Sequence, residues 1–204
     1  MRRGGGTPMS DFKIDVEAVE SAGARGHALD FPYNPISSAI DGFIKAVAAV
    51  FNWIWVVLVL LIVVNVALRY IVGTNSVAME EAQWHLYAVG FMLGIGYALQ
   101  QDGHVRVDVL AEGFPRRRRA WIELLGLTLI VLPLVAIVLY NAWPFVTRAY
   151  QLNEVSGAPG GLPYRWAIKS VILVAFVYLG LAALSRLLRV TTYLFGFPAP
   201  SKAS

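Results

Sequence analysis

Cysteine is absent from the 204 residues, which excludes disulfides, thiolate metal sites and cysteine nucleophiles. Histidine is nearly as scarce, with His27, His85 and His104 the only three. Of these, His85 alone falls within an apolar stretch. A bis-histidine haem needs two imidazoles facing each other at similar depth, and His104 lies about five helical turns further along. Charge is also thin, at 15% of residues, and it is missing altogether from several long runs. No nucleophile elbow, phosphate loop, zinc-binding helix motif or dinucleotide fingerprint occurs. The chain therefore reads as a non-enzyme with no cofactor and no metal. Behind Arg2 and Arg3 there is no apolar core, so the N-terminus does not read as a cleavable signal peptide.

What is present is hydrophobicity, at 57% of residues, concentrated in four stretches. A helix needs roughly 20 apolar residues to cross a hydrocarbon core. Spans are expected at about 46–70, 80–101, 121–147 and 166–187. The second is the most polar, with Gln83 and His85 near its start, and the third carries Pro133 as an expected kink. Near the spans, eight basic residues (Lys45, Arg106, Arg116, Arg117, Arg118, Arg119, Arg186 and Arg189) fall on one side. Four (Arg69, Arg148, Arg165 and Lys169) fall on the other. The positive-inside rule then places both termini and the central loop in the cytoplasm. The arginine run 116–119 is read as an orientation signal or a contact for lipid headgroups, and not as a nucleic-acid site.

The expected class is an all-α membrane protein with four transmembrane helices and both termini inside. Residues 1–35 are expected to form a flexible cytoplasmic tail, 36–195 the membrane domain and 196–204 a short cytoplasmic tail. Ser37 is a candidate cap for an interfacial amphipathic helix leading into the first span, with Ile36, Ile40, Phe43 and Val47 at near-helical spacing and Asp41 and Lys45 facing elsewhere. It either continues unbroken to Tyr70, roughly 50 Å long and longer than a bilayer needs, or kinks near Gly42.

Glu80, Glu81 and His85 resemble part of a carboxylate and histidine metal set, since residues four apart share a helix face. The set is incomplete, so hydrogen bonding to neighbouring helices and contact with a partner are the two readings that stay open. Gly90, Gly94 and Gly96, with Ala88 and Ala98, offer small surfaces for close helix approach, within the chain or on another. After the second span, polar and apolar residues alternate strictly from His104 to Val109, as in a segment half-buried at the interface.

The segment Gly103-His104-Val105-Arg106-Val107-Asp108, placed after the second of four spans, resembles the small permease subunit of TRAP transporters, the DctQ family. Asn65 and Arg69-Tyr70 ending span one, Glu80-Glu81 opening span two, and the loop leading through Trp166 to Lys169 fit the same resemblance, which covers about residues 36–195. It implies an inner-membrane subunit of a tripartite, sodium-driven importer of an organic acid. Its partners would be a large elevator-type permease subunit, a periplasmic solute-binding protein and membrane lipids, with no nucleic acid. Substrate choice would reside in the binding protein and the large subunit. Glu80, Glu81, Arg148, Glu154, Arg165 and Lys169 lie in the expected outer loops, where mixed charge could meet the binding protein or simply be solvated. His104, Arg106 and Asp108 are expected to fix the cytoplasmic corner or grip headgroups. A membrane anchor of a redox complex is the competing class.

Overall fold

The computed structural model describes residues 31–101 and 114–199, and all elements among them are helices. We number them α1 (Pro35–Phe51), α2 (Trp53–Ala67), α3 (Val77–Gln100), α4 (Arg116–Gly126), α5 (Leu132–Gln151) and α6 (Arg165–Phe195). The His104, Arg106 and Asp108 motif lies outside the described residues, as do most of the N-terminal tail and the last few residues.

Asn34, not Ser37, is the N-cap of α1. The Asn34 Oδ1 accepts from the Ser37 amide at 2.8 Å, and the Ser37 hydroxyl accepts from the Asn34 amide at 3.1 Å. Pro35 then fits the first helical position, where a missing N–H costs nothing. The chain runs through Gly42 without interruption, as in the unbroken alternative and not the kinked one. The irregularity comes at Asn52, which keeps helical dihedrals (φ −60°, ψ −25°). Helical structure is therefore nearly continuous over Pro35–Val72, 38 residues or about 57 Å of rise.

Two π-helical turns interrupt the long helices. Leu68–Val72 closes the first and is stopped by Gly73, whose φ of +73° suits a residue without a side chain. Leu127–Val131 joins α4 to α5 and lies just before Pro133. Proline lacks an N–H for the carbonyl four residues back and crowds it, so the expected kink takes the form of a widened turn.

Among the described residues, three helical stretches are long and apolar enough to cross a membrane: Pro35–Val72, Arg116–Gln151 and Arg165–Phe195. By length alone α3 is comparable, with 24 residues rising about 36 Å, but Glu80, Glu81, Gln83 and His85 lower its hydropathy.

The packing is a row and not a closed bundle. α6 packs on α3 at one flank and on α5 at the other, α2 packs on α3, and α1 crosses onto both α6 and α3. No extended interface joins α2 to α5 or α6. Valines, leucines and isoleucines of α2 are consequently exposed along most of its length. The core is small, with Ile44, Leu93, Ala175, Tyr178 and Ala182 meeting where α1, α3 and α6 cross.

Glycine makes these crossings close. A side chain at Gly96 would overlap the Tyr178 ring and one at Gly90 would meet Trp55 at 3.0 Å, whereas Gly94 has open space in front of it. Tyr178 is not free to swing away, because its hydroxyl donates to the Ile44 carbonyl at 2.8 Å. Gly96→Ala should therefore destabilise the detergent-solubilised protein by about 1–3 kcal/mol. Gly94→Ala should stay within about 0.5 kcal/mol of wild type. Thermal unfolding followed by intrinsic fluorescence checks both.

Candidate functional site

Polar side chains gather at the two ends of the row, and the apolar middle separates them. At one end, α1 lies antiparallel along α6. Asn34 Nδ2 donates to the Thr192 hydroxyl at 3.1 Å and to the Leu188 carbonyl at 3.3 Å. One turn on, the Ser185 hydroxyl donates to Asp41 Oδ1 at 2.6 Å. Asp41 Oδ2 faces Arg189 Nη1 at 3.6 Å, both side chains being about 6% exposed. Gln100, at the end of α3, donates to the Asp41 carbonyl at 3.2 Å and ties a third helix to the same point.

Aromatic rings and a second ion pair complete this end. The Arg189 guanidinium sits 4.1 Å from the centre of the Tyr33 ring and Arg186 5.4 Å from that of Phe31, so the residues entering α1 are held by cation–π contacts. Arg186 also pairs with Glu123, which joins α4 to α6. Asp41 is thus on the buried face of α1, whereas Ile36 and Phe43 are exposed. The expected stripe is therefore split, since Ile40 and Val47 pack against the core while Ile36 and Phe43 face out, and Asp41 lies inside. A carboxylate matched by a hydroxyl and a guanidinium is held inside, while apolar side chains bordering lipid lose nothing by facing out.

The opposite end is organised by Glu81. Its carboxylate accepts from the Leu162 amide at 2.7 Å and from the Ser156 hydroxyl, so the first turns of α3 hold the hairpin between α5 and α6. The hairpin is closed on itself by Ser156 N–H to Leu162 O at 3.1 Å and by Arg165 N–H to Glu154 O at 2.9 Å. Gly161 must be glycine here, since a side chain would collide with Ser156 and the Glu81 carboxylate. Lys169 pairs with Glu154 and stands over the Phe145 ring at 4.1 Å. Tyr150 and Trp166 meet edge to face at 5.4 Å.

Of the outer charges expected to meet a partner, Glu81, Glu154 and Lys169 are engaged within this hairpin. Glu80, Arg148 and the side chain of Arg165 have no hydrogen bond or ion pair among the described residues, and Arg148 is exposed. His85 lies half-buried two turns into α3, also without such a partner. No group of three or more metal-ligating side chains is present among the described residues. Asn141 and Thr147 donate to carbonyls of their own helix, Ile137 and Trp143, and do not converge on a shared site. The sequence reading missed Asn34, Asp41, Gln100, Ser156, Ser185 and Arg189. The i, i+4 spacing of Ser37 and Asp41, matched by Ser185 and Arg189 near the end of a span, was the available signal.

A pocket of about 290 Å³ opens where α1 meets α2, lined chiefly by Phe51, Trp55, Gly90, Phe91, Gly94 and Tyr97. It is almost wholly apolar, with Asn52 on its rim. Its lining suits apolar contact.

Two outcomes follow from the clamps. Asp41→Ala leaves Arg189 buried without its counter-charge and should cost about 3–5 kcal/mol of unfolding free energy in detergent. Glu81→Ala should accelerate amide exchange at Ser156 and Leu162 while leaving exchange at Ser37 unchanged, as read by hydrogen–deuterium exchange.

No curated protein matches this chain. The family described as tripartite ATP-independent periplasmic transporters, DctQ component, matches residues 58–192, from within α2 to the last turns of α6. That range takes in α3, α4, α5, the Glu81 hairpin and Arg189. About two thirds of the chain is covered by the model of this transporter component, and the long apolar helices agree with it; the chain belongs to the DctQ component family of tripartite ATP-independent periplasmic transporters.

Proposed function

We propose that this chain is the static small subunit of a sodium-coupled importer of an organic acid, with four spans and both termini cytoplasmic in a bacterial inner membrane. In this reading α3 is the remaining span, and its polar first turns sit at the outer headgroup level where the Glu81 hairpin emerges. The single observation that carries the reading is the open row. A chain whose long helices stay in an open row, crossed by α1 at one end only, is suited to lie against something else, and a partner that moves its substrate across the bilayer needs a fixed wall beside it.

The large permease subunit is the partner proposed for the pocketed face, where Gly94 and Ala98 allow close approach and Trp55 and Phe91 supply area. The outer hairpin is proposed to face the solute-binding protein. Glu81, Glu154 and Lys169 hold its shape, which leaves Glu80, Arg148 and Arg165 as the charges available for complementary contacts.

The test is affinity purification of the tagged protein from its own host in mild detergent, with mass spectrometry and an absorbance spectrum of the same sample. A colourless complex containing one much larger polytopic protein is expected. A haem band with soluble redox subunits would replace the transporter by a redox anchor. Gly94→Trp fills open space on the pocketed face, so it should leave the melting temperature of the subunit alone unchanged and lower recovery of the large subunit by roughly tenfold. Unchanged recovery would move the interface to the other face of the row.

A further inference from the structure

The sharpest electrostatic imbalance among the described residues lies at the start of α4. Arg116, Arg117, Arg118 and Arg119 follow one another in the first turn, the first three are exposed, and no acidic residue shares that turn. Arg119 turns its Nε to the Phe114 carbonyl at 3.2 Å, whereas Arg116, Arg117 and Arg118 have no ion pair or side-chain hydrogen bond among the described residues. The nearest acid along the helix, Glu123, is paired with Arg186. Adjacent like charges repel, and they stand at the helix end where the backbone is already positive. Among the described residues nothing compensates them, which leaves the exposed guanidiniums of Arg116, Arg117 and Arg118 open to a counter-charge outside the chain.

What lies below the arginines identifies it. Trp121 is four residues on from Arg117, 41% exposed, and packs edge to face on Phe195 at 5.7 Å. Ile122 and Leu125 follow Arg118 at i+4 and i+7, and both are more than half exposed. One helix face therefore presents, in order along its axis, a guanidinium layer, an indole layer and an aliphatic layer. That order matches the phosphate, glycerol-ester and acyl layers of a phospholipid.

We propose that Arg116, Arg117, Arg118 and Trp121 form a binding surface for phospholipids whose headgroups carry net negative charge. The guanidiniums hold the phosphodiester by paired N–H donors, which suits arginine better than lysine, and Trp121 fixes the depth at which the headgroup sits. The inference requires only that the helix Arg116–Gln151 enters a bilayer at this end. It stands or falls independently of the transporter reading.

The test uses the full-length chain purified in mild detergent, with phosphatidylglycerol or phosphatidylcholine added. Native mass spectrometry should show phosphatidylglycerol retained at least roughly tenfold better, with the preference shrinking as salt rises. Phenylglyoxal labelling of wild-type protein should be blocked at Arg116, Arg117 and Arg118 by phosphatidylglycerol and not by phosphatidylcholine. Substituting all three by glutamine (R116Q, R117Q, R118Q) should abolish the preference, and lysine at the same positions should restore only part of it. Equal retention of the two lipids, or labelling indifferent to lipid charge, would overturn the proposal. Protection by a short oligonucleotide but not by phosphatidylglycerol would also overturn it, in favour of a nucleic-acid surface. The labelling measurement needs no variant, so a glutamine variant that fails to fold leaves the question decidable.

Discussion

Burying Asp41 against Arg189 is the constraint on which the remaining architecture depends. Neither group can be withdrawn from water cheaply, and the separation of 3.6 Å is long for a hydrogen bond. The burial is sustained by what surrounds the pair: the Ser185 hydroxyl on Oδ1, the Tyr33 ring over the guanidinium, and Gln100 on the Asp41 carbonyl. These partners come from the entry to α1 and from α1, α3 and α6, so satisfying one carboxylate sets the register of three helices. Once α1 lies along α6, α2 has to start where α1 ends. That places it beside α3 and not beside α5, and the row stays open.

Hydrocarbon gives helices no reason to associate through leucine and valine, since lipid tails solvate those side chains equally well. Association inside such a chain must then rest on close backbone approach and on polar groups with nowhere better to go. Both are visible, and they are spatially divided. Gly96 under Tyr178 and Gly90 under Trp55 bring helices together in the middle, while Asp41 and Glu81 hold the two ends. Elsewhere the helices are bare. The exposed faces of α2 and α5 would signal a damaged soluble protein, but on helices long and apolar enough to cross a membrane they meet lipid tails at no cost.

The family was legible because its signal is local: a short motif after an apolar stretch, with the surrounding order of charged and aromatic residues. Helical class and approximate helix bounds were legible for a related reason, since absence of charge over about 20 residues has few alternatives. The facing of α1 was not. Of the stripe Ile36, Ile40, Phe43 and Val47, the second and fourth pack on the core and the other two face out, where lipid asks for no inward apolar face. Asp41 turned inward because Ser185 and Arg189, over 140 residues away, meet it. The cap was misplaced by one turn for a subtler reason, as Ser37 and Asn34 serve one another reciprocally and either reads as a cap alone. The engagement of Glu81 with the hairpin was invisible in spacing, because its partners are a hydroxyl and a backbone amide about 80 residues distant.

The division of labour between ends and middle bears on how such a chain would behave beside a moving partner. A helix row held only by glycine contacts could shear, because van der Waals packing in lipid changes little when one ridge slides to the next groove. Fixing α3 to the α5–α6 hairpin at one end and α3 to α1 and α6 at the other removes that freedom, since sliding α3 by one turn, about 5.4 Å, would break both clamps at once. Glu81 ties the start of α3 to the loop between α5 and α6, and Gln100 ties its end to Asp41 of α1, which in turn meets Ser185 and Arg189 of α6. A displacement of α3 along its axis therefore strains both clamps together. Stiffness of this kind comes from a few residues at the ends of helices whose apolar length is free to vary, which leaves the faces of the row open to match a partner without loosening the frame.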